Sequence, residues 1–165
     1  MVPDSDLQLQ MVIKALQEAV APGLKLDEKI AAEQLHLSIA TLGMVRQHLP
    51  ITRRFIRAMS RDALDLAARL DAVVATETLK APTAALEAAL ADPAIENQDI
   101  EEARAALHGA ISALIDGLDA ADRPAVRAIV VDAMALPIER QRAWFLGSGF
   151  EADPGIIRQI GELIG

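Results

Sequence analysis

Three features of the sequence predict an all-α protein, a helical bundle of about six to eight helices with no sheet. Apolar residues make up 52% of the chain, mostly Ala, Leu, Ile and Val, with one Trp, three Phe and no Tyr, which is the composition of helix bundles. These apolar residues recur at spacings of three and four, the period of one helix face. No run of four to eight residues alternates apolar and polar with β-branched enrichment, and Ile129-Val130-Val131 sits inside a helix-period pattern.

Element by element, Asp4, Ser5 or Asp6 is placed to cap a first helix carrying Leu9, Val12, Ile13, Leu16 and Val20, ended by Ala21-Pro22-Gly23. A second helix, about Leu26 to His48, holds Ile30, Leu35, Leu37, Ile39, Leu42, Met44 and Val45. That is too many apolar positions for one narrow stripe, so this helix is expected to be central or shared with a second subunit. Pro50 closes it, Thr52 is placed to cap a long third helix with the stripe Phe55, Met59, Ala63, Leu66, Leu70 and Val73, and that helix is expected to end near Thr78. Pro82 starts a short helix containing Leu86 and Leu90, interrupted by Asp92-Pro93. Asp99 and Glu102 have capping-box spacing ahead of Leu107, Ile111, Leu114 and Leu118. Asp122 with Pro124 opens the next helix, Pro137 punctuates it, and a short helix runs through Trp144 to Leu146 before the turn Gly147-Ser148-Gly149. Asp153-Pro154 then caps a terminal helix of Ile156, Ile157, Ile160, Leu163 and Ile164.

A length of 165 residues suits one domain, here a single all-helical domain over 1–165. A hinge is expected at about 80–98, between an N-terminal three-helix part (4–79) and a C-terminal helical part (98–165). The chain has no cysteine, which excludes disulfides, thiolate metal sites and cysteine nucleophiles. Its charge-free stretches are shorter than the roughly 20 residues that span a bilayer, and the acidic start Asp4-Ser5-Asp6 is unlike a signal peptide. A cytoplasmic protein without a membrane partner is expected.

The segment Leu7 to Leu49, a helix, a Pro-Gly turn and then Leu26-Asp27-Glu28-Lys29-Ile30-Ala31-Ala32-Glu33-Gln34-Leu35, together with the later Leu90-Ala91-Asp92-Pro93 turn and the helix after it, resembles a family of short uncharacterised bacterial helical proteins. Members of that family are often encoded beside aminoglycoside-phosphotransferase-like kinases and acyl-CoA dehydrogenases. The resemblance covers about residues 7–118 and implies a bacterial helical protein; it carries no catalytic residues.

Chemistry-bearing patterns are sparse. Glu33 and His36 have the Glu-x-x-His spacing of di-iron bundles, but no second copy exists, and His36, His48 and His108 show no metal-ligand spacing. Ser148 lacks the strand that a nucleophile elbow needs, and neither a P-loop nor a dinucleotide fingerprint occurs. No catalytic, cofactor or metal residue is expected. The net charge of −8 hides an acid-free segment from Gln34 to Arg61. There Arg53, Arg57 and Arg61 align at i, i+4, i+8 with Arg54 beside them, a candidate anion-binding face or a solvated face paired with acids such as Asp62 and Asp65. Without interleaved aromatics to stack bases, nucleic acid is the least favoured ligand. Trp144, Phe145 and Phe150 form a candidate aromatic pocket or the plug of one end of the bundle.

Leu37, Gly43 and Met44 on the second helix are a candidate interface, since Gly43 would let another helix approach closely. The expectation is a non-catalytic protein that acts by self-association, a homo-oligomer, or as an adaptor for a protein partner. The competing expectation is a binding module or enzyme in which the Arg face holds a phosphate- or CoA-like anion.

Overall fold

The computed structural model describes residues 4–25, 29–149 and 151–165, and among these every regular element is helical. The α-helices are α1 (Ser5–Ala15), α2 (Lys29–His48), α3 (Thr52–Val74), α4 (Lys80–Ala91), α5 (Asn97–Asp116), α6 (Arg123–Ala133), α7 (Ala135–Trp144) and the single turn α8 (Ile160–Leu163). The all-α expectation stands. The chain separates into two compact units, one made of Met1–Thr52 with Trp144–Ile156 and the other of Arg53–Ala143 with Ile157–Gly165. The division falls at the start of α3, whereas residues 80–98, read as a hinge from sequence, lie within the second unit.

In the first unit, Asp4 caps α1 by accepting from the backbone N–H groups of Asp6 and Leu7. Pro22 has no N–H to give the Glu18 carbonyl. In keeping with that gap, the backbone widens to a π-turn over Leu16–Val20, the Ala21 N–H reaching the Leu16 carbonyl, then tightens to a 3₁₀ turn at Ala21–Gly23. α1 and α2 then pack as a hairpin. Its half-buried apolar residues include Leu9 and Ile13 on α1, Leu16 just past its end, and Leu35, Ile39, Leu42 and Met44 on α2. The Arg46 guanidinium near the end of α2 donates to both Asp6 carboxylate oxygens near the start of α1, at 2.6 and 3.0 Å, so the two helices run antiparallel.

The second unit holds the core. α3 contributes Ile56, Ala63, Leu66, Ala67 and Leu70 to it, α4 gives Leu86 and Ala89, α5 gives Ile100, Leu107 and Ile111, and Leu118 and Val126 close it. Leu70, Leu86, Ile100 and Leu107 are fully buried, each worth about 1.5–3 kcal/mol of apolar burial. Ser60 is buried with its hydroxyl spent on the Ile56 carbonyl at 2.8 Å, so it leaves no unmet polar demand.

Several local expectations are corrected. Of the two expectations for α2, central or shared with a second subunit, the first fails, since α2 contains no buried residue; α3 is the central helix of the second unit's core. α3 stops at Val74, where Ala75 takes φ +46 and the Thr76 N–H turns to the Asp71 carboxylate. The Thr52 hydroxyl donates backward to the His48 carbonyl rather than capping α3. Asp99 does not cap its helix: α5 begins at Asn97, which places Asp99 in its first turn. Asp122 with Pro124 does open α6, as the N-cap residue, though its side chain makes no capping bond. The terminal helix shrinks to a 3₁₀ turn, Pro154–Ile156, and the single turn of α8. Gly155 and Gly161 lower its helix propensity.

Candidate functional site

The four arginines of the first half of α3, Arg53, Arg54, Arg57 and Arg61, divide into two pairs. Arg53 and Arg57, one turn apart, face the end of α4, where the last carbonyls have no intrahelical partner. Arg53 Nη1 donates to the Ile95 carbonyl at 2.8 Å and to Asn97 Oδ1 at 3.4 Å, while its Nη2 donates to the Pro93 carbonyl at 2.8 Å. Arg57 Nη2 donates to the Leu90 carbonyl, and its Nη1 is buried without an acceptor among the described residues. Both cations therefore sit at the negative end of the α4 dipole and hold the Asp92–Glu96 turn in place. Arg54 and Arg61 are exposed. The four-arginine stripe expected from spacing is thus two structural clamps and two solvated cations, because the donors of Arg53 and Arg57 are aimed at backbone carbonyls.

The second unit also carries a cleft of about 440 Å³. Asp62 lines it and is held by an ion pair with Arg140, the two side chains only 17% and 12% exposed. Arg140 Nε is further fixed by the Leu163 carbonyl at 2.7 Å. His108 also lines it, its pKa lowered by burial and then by the Arg104 charge. Spacing gave no sign of this cleft, since Asp62 and Arg140 lie 78 residues apart.

Two of the three residues of the expected aromatic cluster are described. Trp144 stacks on His48 in the first unit, centroids 3.9 Å apart and planes 23° from parallel. Burial there lowers the His48 pKa. Phe145 is exposed, and Phe150 lies outside the described residues.

The face of α2 turned away from α1 is the site on which the geometry converges. Ile30, Leu37 and Met44 recur at intervals of seven, almost in line along the helix; Ile30 and Leu37 are 78% and 54% exposed, whereas Met44 is half-buried, one turn before the His48 that stacks on Trp144. Gln34 and Thr41 alternate with them on the same face, and Val45 flanks them. No charged residue occurs from Gln34 to Val45. The two hydroxyls here are satisfied by their own helix: Ser38 Oγ donates to the Gln34 carbonyl and Thr41 Oγ1 to the Leu37 carbonyl, both at 2.8 Å. Covering this face would strand neither hydroxyl. Of the three interface residues read from sequence, Leu37 and Met44 lie on it. Gly43 lies on another side of α2, and a Cβ there would meet nothing within 4 Å.

No protein-family model, curated protein or solved structure matches the chain. The functional reading therefore rests on this geometry. Among the described residues no helix is long and apolar enough to cross a membrane.

Proposed function

We propose that this is a non-catalytic protein that acts by self-association, with the first unit as the docking element and α2 as its contact surface. One observation carries the reading: the first unit leaves its apolar side chains uncovered. Every buried apolar residue among those described belongs to the second unit. The first unit instead exposes Leu7, Met11, Val12, Val20, Ile30, Leu37, Val45, Leu49, Phe145 and Ile156, against only Val73, Val131, Leu136 and Ile138 in the second. Uncovered apolar surface of this kind marks an interaction site. A second copy of the hairpin supplies a matching surface and closes the assembly by symmetry.

An anion-binding role would have to rely on Arg54 and Arg61, because Arg53 and Arg57 are committed to carbonyls. The resemblance over residues 7–118 would make such a protein bacterial. Light scattering over a concentration series tests the proposal. The weight-average mass should rise from monomer toward dimer between micromolar and near-millimolar protein, and Leu37→Lys should abolish the rise. A strict monomer across that range would sink self-association, as would a rise that Leu37→Lys leaves unchanged.

A further inference from the structure

We infer that the cleft of the second unit, walled by α3, α5 and α7, binds a small uncharged molecule with an apolar body and one hydrogen-bond donor. The site is separate from the α2 face and does not depend on self-association. Its floor is apolar: Met59, Ala63, Leu66 and Pro137 line it from positions that are themselves buried. At about 440 Å³ the space falls within the roughly 300–1,000 Å³ of sites that take small organic ligands. Met59 and Met134, both in the lining, have flexible side chains that mould to varied apolar shapes.

The charges of the wall argue for a neutral occupant. Each acid there already has its cation: Asp62 is paired with Arg140, and Glu101 with Arg104 at 3.6 Å. His108 is the remaining ionisable group of the lining, and with its pKa held below the ordinary value it is uncharged near neutral pH. A charged ligand would give up its hydration without meeting an unpaired countercharge, whereas a neutral one gives up little. What the wall does offer is an acceptor. Arg140, which is not part of the lining, engages Asp62 Oδ2 and is itself fixed by the bond from its Nε to the Leu163 carbonyl at 2.7 Å. This hold leaves Asp62 Oδ1 without a donor among the described residues. A carboxylate oxygen immobilised by a fixed arginine, beside an apolar floor, is an oriented acceptor. A hydroxyl or N–H on the ligand completes it.

Probes of one shape test the site: phenylpropanol, its methyl ether, phenylpropanoate and phenylpropylammonium. With the methionine methyl groups isotopically labelled for NMR, phenylpropanol at millimolar concentration should move the Met59 and Met134 resonances saturably. Met11, exposed in the first unit, should stay in place. The two ions and the ether should bind at least about tenfold more weakly, since each leaves a charge or the Asp62 acceptor unmet. Ala105→Phe, at an exposed position of the lining, should abolish the shifts by filling the space, while circular dichroism remains that of the wild type. An ion that binds as tightly as the alcohol overturns the neutral occupant, and an ether that does so overturns Asp62 as the acceptor. If phenylpropanol leaves Met59 and Met134 unmoved up to its solubility limit, or still moves them in a folded Ala105→Phe protein, the cleft is not the site.

Discussion

The two units are built from the same residue types at the same helical spacing, yet they dispose of their apolar side chains in opposite ways. In the second, α3, α4, α5 and α6 surround one another, and Leu70, Leu86, Ile100 and Leu107 are removed from water. In the first, two helices share a single contact face, which half-buries Leu35, Ile39 and Leu42 and leaves Ile30 and Leu37 in solvent. A helix with apolar residues on two faces needs two neighbours, and among the described residues of its unit α2 packs against α1 and, near its C-terminal end, against the Leu146–Ser148 turn and Trp144, which leaves Ile30 and Leu37 exposed. Helical periodicity shows that a face can be buried. It does not show whether the chain itself supplies the cover.

That contrast is sharpest in truncations. Leu107→Ala in the second unit should cost about 2–5 kcal/mol through lost burial and a residual cavity, read by urea denaturation. Leu37→Ala in the first unit should stay within about 0.5 kcal/mol at concentrations where the protein is monomeric. If both cost the same, the division of roles fails. Next in size, Asp62→Ala should cost about 3 kcal/mol, because it leaves the Arg140 charge part-buried and unpaired.

Within the arginine run, Arg53→Ala should cost about 1–3 kcal/mol by leaving the Pro93 and Ile95 carbonyls unmet. Arg61→Ala, at an exposed position, should fall within about 0.5 kcal/mol. Equal costs would return all four arginines to a single surface role.

The smallest effects lie in the first unit. Gly43→Ala should stabilise α2 by about 0.5–1 kcal/mol, since a Cβ there has open space; destabilisation would mean that something does approach Gly43. Burial lowers the folded-state pKa of His48, so below the unfolded value of about 6.5 the unfolded chain binds more protons and stability falls with pH. His48→Gln should flatten part of that decline between neutral pH and the folded-state value, the remainder belonging to His108. At lower pH, Arg46 holds the Asp6 carboxyl below its ordinary range, first through their hydrogen bonds. The hairpin contact is therefore lost as pH falls through the carboxylate range, and Asp6→Asn should remove that dependence.

Much of the fold was legible in the residues because its punctuation is local. Ala21-Pro22-Gly23, Pro50, Asp92-Pro93, Pro137 and Gly147-Ser148-Gly149 each interrupt the helices where a missing N–H or a flexible backbone requires it. What escaped the sequence was set by partners distant in the chain. Arg53 and Arg57 have the spacing of a ligand-binding stripe, and only the arrival of the α4 terminus some forty residues later turns them into clamps. α2 read as central because its apolar residues are numerous; its place outside the core depends on what the rest of the chain chooses to cover. Leu37 and Met44 were visible as interface candidates, whereas their unequal exposure, Leu37 open and Met44 half-buried, was not. The fading of the terminal helix came from glycines whose cost the Ile/Leu pattern masked.

Hydrogen exchange measured at two protein concentrations tests most directly the claim that the second unit carries the core and the first an unfinished surface. At low concentration the amides of α5 should show protection near the global stability, while those of α2 exchange orders of magnitude faster through local opening. Raising the concentration into the associating range should slow exchange in α2 and leave α5 unchanged. Protection of α2 equal to that of α5, or indifferent to concentration, would contradict the account.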